Sequence, residues 1–279
     1  MPELTREELE KAARAMKRIH GADLEGINLQ GANLQGAIFA RCNFRNAKLA
    51  KINFDSADLS GSDFTGAVLT GASFREAALE SCDFSLADLT EASFIESRMN
   101  GAVLDKAVLT DADLSGAALN EARAILADFT GSTLTRVSTN GTHFLLSLFD
   151  DCRAERLTAV KADFSGSSFR GANLDRSVLN GVNFSLGDLE GASMRGCPLK
   201  QANFLGANLR KTNLTKSNLE GAHFLRVEGE KAVLNGANLR GANLTEANFS
   251  GANFDDSYLM EAITDLANFD GASFKEAKR

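Results

Sequence analysis

Large apolar residues recur at every fifth position along most of this chain. In steps of five from Leu24 to Phe274, nearly every position is Leu or Phe, and all 19 Phe residues fall in this series. Met99 and Met194 also belong to it, and we call these positions centres. A small residue lies two positions before most centres, and Asn or Asp is common directly before them. No insertion or deletion shifts this phase.

A period of five fits neither a helix face nor a long strand, whose periods are 3.6 and 2 residues. A short bridge-like strand followed by a tight turn does fit. Of the 24 Gly, all but Gly187 and Gly229 open the first repeat or lie two residues after a centre, where a turn requires positive φ. The pattern therefore predicts an all-β solenoid whose centres and small residues point inward, with coils about 4.8 Å apart.

The repeat resembles that of the pentapeptide-repeat family, whose motif is A-[DN]-L-x-x. Residues 32–34, 172–174, 207–209 and 242–244 all read Ala-Asn-Leu. The resemblance covers residues 21–279 and implies a right-handed quadrilateral β-helix, with four repeats in each coil and about 13 coils. Residues 20 apart should then stack, which would give a ladder of Phe from Phe44 to Phe224 and an opposite ladder of Leu.

Residues 1–20 do not fit the repeat. Thr5 followed by Glu8 is typical of a capping box, in which each side chain satisfies a free backbone N–H of a helix start. We expect a helix from about Arg6 to Ile19 that caps the solenoid, although a helix that binds a partner or anchors to a surface is an alternative. The predicted apolar face consists of Leu9, Ala12, Ala13, Met16 and Ile19.

Six centres are neither Leu, Phe nor Met. In three cases the preceding inward position is enlarged, since Val137, Leu157 and Val227 occupy it. We interpret this as compensation in volume, and we predict a bulge or bend near residues 124–159; a recognition site in those coils is the alternative. The irregular centres are Ala124, Thr139, Ala154, Ala159, Gly229 and Thr264.

The spacing of the reactive and metal-binding residue types in the sequence does not predict an active site. Its four Cys occupy small inward positions, and none lies 20 residues from another, so we expect unpaired thiols in a reducing, cytoplasmic compartment. We find no metal-ligand spacing, nucleophile–base pair or phosphate-binding loop, and therefore expect a non-enzyme with no cofactor and no metal. A net charge of −7 disfavours direct nucleic-acid binding. No apolar run approaches the roughly 20 residues that span a membrane.

Two surfaces are candidates for binding a protein partner, whose identity the sequence does not give. A C-terminal group, Tyr258, Met260 and Ile263, would expose apolar surface at the solenoid end and favour an end-to-end homodimer, or mark one domain of a longer polypeptide. An apolar stripe follows the side of the Phe ladder and would serve a partner or self-association, unless its residues simply pack on each other. It consists of Leu86, Ile125, Leu126, Leu145, Leu146, Leu186, Leu205, Leu225 and Leu266.

These observations favour a rigid protein–protein interaction scaffold. The family resemblance implies an alternative, because some pentapeptide-repeat proteins mimic duplex DNA and bind DNA gyrase, which protects it from quinolones or inhibits it. Here Lys51, Lys161, Arg170, Arg210, Lys211 and Lys231 interrupt an acidic band, and the loop insertions of some gyrase-protecting members are absent. A third hypothesis is an accessory or effector of a bacterial secretion system.

Overall fold

The computed structural model describes residues 4–279, and the chain divides into two compact units. The first unit is Met1–Ser138 and the second is Thr139–Arg279. Helix α1 spans Arg6–Arg14, and strand β1, Arg18–His20, pairs in parallel with strand β2, Ile38–Ala40. Isolated parallel bridges make up the rest of the β-structure among the described residues.

The capping box predicted at the start of α1 is confirmed. The backbone N–H of Glu8 donates to the Thr5 hydroxyl over 3.3 Å, and the backbone N–H of Thr5 donates to the Glu8 carboxylate over 2.8 Å. These bonds satisfy two N–H groups that have no partner within the helix. One face of α1 is buried, and it consists of the predicted residues Leu9, Ala12 and Ala13.

The prediction that the helix continues to Ile19 is wrong. The helix ends at Arg14, and Ile19 lies in β1, where it pairs with Phe39. Met16, which was assigned to the apolar helix face, is exposed and has a φ of +48°. The helical spacing of these two residues competes with coil pairing, and pairing prevails because it satisfies the backbone groups of Ile19.

Coils pair backbone to backbone in a register of 20 residues. The N–H of Leu24 donates to the carbonyl of Asn43 over 2.8 Å, and the N–H of Asn43 donates to the carbonyl of Ala22 over 2.9 Å. The same parallel pattern recurs within each unit, for example between Asp163 and Asn183. This register places four five-residue repeats in each coil, as the family resemblance implied.

Every repeat turns through the same four-residue bend. In the first complete turn, the N–H of Ile27 donates to the carbonyl of Leu24 over 3.2 Å, and Gly26 has a φ of +65°. A left-handed third residue is typical of a type II turn. The Asn that precedes a centre stabilises the bend, because the Asn28 side chain accepts from the N–H of Gln30 over 3.2 Å.

The centres form aromatic stacks in both units. Phe44 and Phe64 stack in the first unit with centroids 4.9 Å apart and planes 1° apart. Phe144 and Phe164 stack in the second unit at 4.8 Å. Each such pair adds about 0.5–1.5 kcal/mol beyond the burial of its area. The predicted Phe ladder is therefore confirmed within each unit.

The irregular centres differ in how their space is filled. A side chain at Gly229 would collide with the ring of Phe249, so this ring fills the space together with the buried Val227. Thr264 lies exposed near the C-terminus, unlike the other members of the set. The predicted bulge or bend stays a prediction. Buried irregular centres are Ala124, Thr139, Ala154 and Ala159.

Candidate interaction surface

The third residue of each turn projects its side chain from a corner of the coil. At one corner of the first unit, two coils have leucine at this position, Leu86 and Leu126, and both side chains are exposed. On the equivalent corner of the second unit, Leu186 is 71% exposed and Leu266 is 85% exposed. Leu146 is exposed in the same way. These five members of the predicted apolar stripe therefore present apolar surface to solvent.

The same five leucines have a left-handed backbone. Their φ values lie between +55° for Leu146 and +60° for Leu86. A residue with a Cβ atom pays about 1–2 kcal/mol for this conformation, which glycine avoids. Many polar residues also adopt it in these turns, but within each unit every leucine that does so lies at this one corner. The strain is common to these turns, so exposure and recurrence at one corner are what make the leucines candidates for intermolecular contact.

The remaining members of the stripe are less accessible. Leu205 is exposed, whereas Ile125, Leu145 and Leu225 are half-buried. Packing of corner residues against their neighbours, the alternative interpretation of the stripe, therefore accounts for these three.

Sequence reasoning missed one exposed leucine beside this corner. Leu148 is 42% exposed and lies in the same coil as Leu145 and Leu146. It directly precedes the centre Phe149, at the position that Asn or Asp commonly occupies. That departure from the motif was the available signal.

The last coil of the second unit is covered less than those before it. The centres Phe269 and Phe274 are only half-buried, and Thr264 is exposed. Cationic side chains cover part of this surface: the Arg279 guanidinium lies 4.1 Å from the Phe274 ring centroid. Of the residues predicted for end association, Tyr258 and Ile263 are exposed and Met260 is half-buried.

Comparison with protein families decides the classification. A model of the pentapeptide repeat region matches residues 17–94, and a model of pentapeptide repeats matches residues 87–123, 160–196, 188–224 and 230–259. Together these matches cover well over half of the sequence. The chain belongs to the pentapeptide-repeat family. The resemblance read from the Ala-Asn-Leu motifs is thereby confirmed.

Several solved structures are similar to this pentapeptide-repeat protein. HetL, a protein involved in heterocyst differentiation regulation from the cyanobacterium Nostoc sp. strain PCC 7120, is 26% identical, with 96% of each chain covered and a TM-score of 0.33. QnrB1, a plasmid-mediated fluoroquinolone resistance protein, is 20% identical over 73% of this chain and 93% of its own, with a TM-score of 0.38. TM-scores this low carry no information about function. No curated protein matches the chain significantly.

Charge differs between the two units of this pentapeptide-repeat protein. Almost all of the net charge of −7 resides in the first unit. In the second unit, acidic and basic side chains are nearly balanced, and many pair between coils. Arg226 Nε lies 2.7 Å from a Glu246 oxygen, and Lys211 Nζ lies 3.0 Å from a Glu190 oxygen. These pairs are exposed, so solvent screens them and each contributes little to stability.

The four cysteines are buried and free, as predicted. Burial raises the pKa of Cys82 and of Cys197 to about 12. The pKa values of Cys42 and Cys152 are also raised, chiefly by burial. Because the thiolate is the reactive form, these thiols are poor nucleophiles at neutral pH.

One shallow polar recess lies in the first unit, beside Ala78. Its polar groups bind each other: Arg98 Nε donates to Glu80 over 2.7 Å, and the Ser60 hydroxyl contacts both Asp58 and Glu80. Residues 4–279 contain no group of three or more His, Cys, Asp or Glu arranged to hold a metal ion. No helix within that range is long and apolar enough to cross a membrane.

Proposed function

We propose that this pentapeptide-repeat protein is a non-enzymatic solenoid scaffold that binds protein partners through the apolar corner of its coils. The observation that carries the proposal is the set of exposed leucines in left-handed turns, of which Leu186 is an example. Glycine would remove both the strain and the exposed apolar surface at these positions. Contacts with a partner would offset the cost of an exposed leucine in this conformation. The four buried free thiols are compatible with a reducing compartment, and we propose a cytoplasmic location.

The exposed last coil supports a second contact of the same scaffold. Phe269 and Phe274 are centres, yet both remain half-buried, and Ile263 beside them is exposed. Another protein, including another copy of this chain, would bury these side chains by stacking on the coil. Replacing Ile263 by Asp should then weaken that association and leave corner-mediated binding unchanged.

Partner capture tests the corner. Tagged wild-type protein and the double variant Leu146→Asp/Leu186→Asp, which changes two exposed leucines, are each incubated with extract of the native host, and the proteins retained are quantified by mass spectrometry. A matched control, Asn180→Asp/Asn235→Asp, adds the same charge at turn positions on other corners. We expect at least one partner to be lost with the leucine variant and retained with the control. Equal capture by all three proteins would exclude the corner as the binding surface.

One observation favours gyrase binding as a second candidate function. In the first unit, two adjacent sides of the coils carry seven outward acidic residues and no Lys or Arg between Arg75 and Arg136. Such an acidic surface could replace DNA phosphates against a basic groove. The seven residues are Glu76, Asp88, Glu91, Glu96, Asp111, Asp113 and Asp128.

A supercoiling assay tests this candidate with purified gyrase. Inhibition of supercoiling, or its protection from a quinolone, should depend on the acidic surface and decrease in the variant Asp111→Asn/Asp113→Asn. Supercoiling and quinolone sensitivity that do not respond to the wild-type protein would eliminate the gyrase hypothesis.

A further inference from the structure

One corner of the second unit carries a self-complementary pattern of residues. Its turns across four successive coils read Leu-Leu at 145–146, Ser-Gly at 165–166, Ser-Leu at 185–186 and Leu-Gly at 205–206. We call these eight residues the leucine corner. The first residues of the four turns read Leu, Ser, Ser, Leu, which is the same in both directions. The second residues alternate between Leu and Gly, so reversing the order places each Leu opposite a Gly.

A glycine in the next coil leaves space for Leu146 and for Leu186. A Cβ atom added to Gly166 would lie 2.7 Å from Leu146 Cδ2, and one added to Gly206 would lie 3.0 Å from Leu186 Cδ2. Each leucine therefore rests on the following coil, in space that a side chain there would occupy. The two leucines are two coils apart, about 10 Å at the usual strand spacing. Both stay exposed, so the corner presents two pre-positioned apolar side chains.

The surroundings of the leucine corner carry little free charge. The flanking residues of these coils are mostly uncharged, and the two acids among them are engaged. Asp163 accepts from the Asn183 amide over 2.9 Å, and Asp188 accepts from Arg170 and from the Asn208 amide. Depletion of charge around an apolar centre is typical of protein interfaces. The uncharged flanking residues are His143, Leu148, Ser168, Asn183, Asn203 and Asn208.

We propose that the leucine corner binds the leucine corner of a second copy of this chain, with the two second units antiparallel. The two-fold axis would pass between the coils of Gly166 and Leu186. Leu145 then faces Leu205 of the second copy, and Ser165 faces Ser185. Leu146 and Leu186 each lie opposite a coil of the second copy whose second turn residue is glycine. This inference rests on the proposed function, because it names a partner for the same corner.

The flanking residues favour a second copy over an unrelated partner. In the antiparallel register, Asp163 lies opposite Asn183 of the second copy, and Ser168 lies opposite Asp188. No carboxylate lies opposite a carboxylate in this register. A two-fold contact repeats every pairing twice, so any repulsion between like charges would count twice. The four coils offer a footprint of about 300 Å² per copy, well below the roughly 800 Å² of a standard interface. We therefore expect a weak, concentration-dependent dimer.

Sedimentation equilibrium of the purified full chain between about 10 µM and 1 mM tests the dimer. The variant Leu186→Gly removes one exposed leucine and its left-handed strain, so it should not lower Tm, yet it should weaken association at least tenfold. Leu86→Gly is the matched control in the first unit, with nearly the same φ, and should leave association unchanged. A monomer throughout the range, or equal effects of both variants, would overturn the proposal.

Cross-linking tests the antiparallel register. With a short bismaleimide, Ser165→Cys lies within about 5 Å along the stack of its equivalent in the second copy and should cross-link. Thr245→Cys occupies the same column, but its equivalent is about seven coils away, roughly 34 Å, and it should not. Cross-linking of Thr245→Cys as strong as that of Ser165→Cys would contradict an antiparallel contact. A monomeric chain that still captures a host partner through the corner would refute self-association and leave the scaffold function standing.

Discussion

The first and last coils are built from the same repeat but differ in burial. In the first coil, Leu24 is 3% exposed and Leu29 is fully buried, and the fully buried Leu9 of α1 belongs to the same unit. In the last coil, Thr264 is exposed and Phe274 is half-buried although Phe is the larger side chain. A centre is thus buried by the structure on both sides of its coil and not by its own apolar character. The free energy gained by burying a centre therefore differs between the first coil and the last coil even where their motifs agree.

Disrupting the packing of α1 should have the largest effect on the difference in burial between the first and last coils. Leu9→Asp places a carboxylate in a fully buried position, which we expect to cost about 4 kcal/mol or more. Amide hydrogen exchange of residues 24–39 should accelerate towards that of the last coil. Met16→Asp is the control, since Met16 is exposed. If both variants exchange alike, α1 does not protect the first coil.

Truncating one centre at each end compares the coils directly. Leu29→Ala removes a fully buried side chain and should lower the free energy of unfolding by about 2–5 kcal/mol. Phe274→Ala removes more atoms, but from a half-buried site, so we expect about 1 kcal/mol. Chemical denaturation of both variants measures the difference. A larger loss for Phe274→Ala would mean that another structure covers the last coil in solution.

Phase predicted the inward centres and the turns, because every centre repeats the same local physics, and the family resemblance supplied the four repeats of each coil. Phase also located the left-handed turn residues, since a residue such as Leu186 occupies the position where other repeats have Gly. The end of α1 was missed because Ile19 satisfies a helical spacing and a strand pairing equally well. Exposure within the stripe was only partly predictable. The sequence places Leu145 and Leu186 at the same corner, but burial depends on neighbouring side chains that lie 20 residues away.

The capping box of α1 should make a smaller contribution to the stability of the first coil. Thr5→Ala removes the hydroxyl that accepts from the Glu8 N–H, and we expect a loss of about 1 kcal/mol. Thr5→Ser keeps that hydroxyl and should behave like the wild type. Thermal unfolding followed by circular dichroism compares the variants. A loss with Ser equal to that with Ala would show that the threonine methyl group matters instead.

Acid should weaken both ends, with the smallest effect. Hydrogen bonds from Thr5 hold the pKa of Glu8 below its ordinary value, and chiefly the Ser273 hydroxyl does the same for the pKa of Asp255 in the last coils. A carboxyl group whose pKa is lower in the folded than in the unfolded protein stabilises the fold at pH values above its unfolded pKa, near 4. This stabilisation is lost as the pH falls through the folded pKa. The Tm difference between wild type and Glu8→Gln, or Asp255→Asn, should therefore shrink below about pH 4. A difference independent of pH would contradict this linkage.

The 20-residue register also constrains how this protein can change in length during evolution. Deleting one five-residue repeat would preserve the backbone pattern of a unit, since every repeat folds alike. It would, however, rotate every following residue by a quarter of a coil, so that residues such as Leu186 and Leu205 would leave the corner they share with Leu146. Only the loss or gain of a whole coil keeps the columns aligned, as in the ladder that joins Asn183 to Asn203 over 3.0 Å. Surface patterns on this scaffold can therefore be inherited only in whole-coil steps.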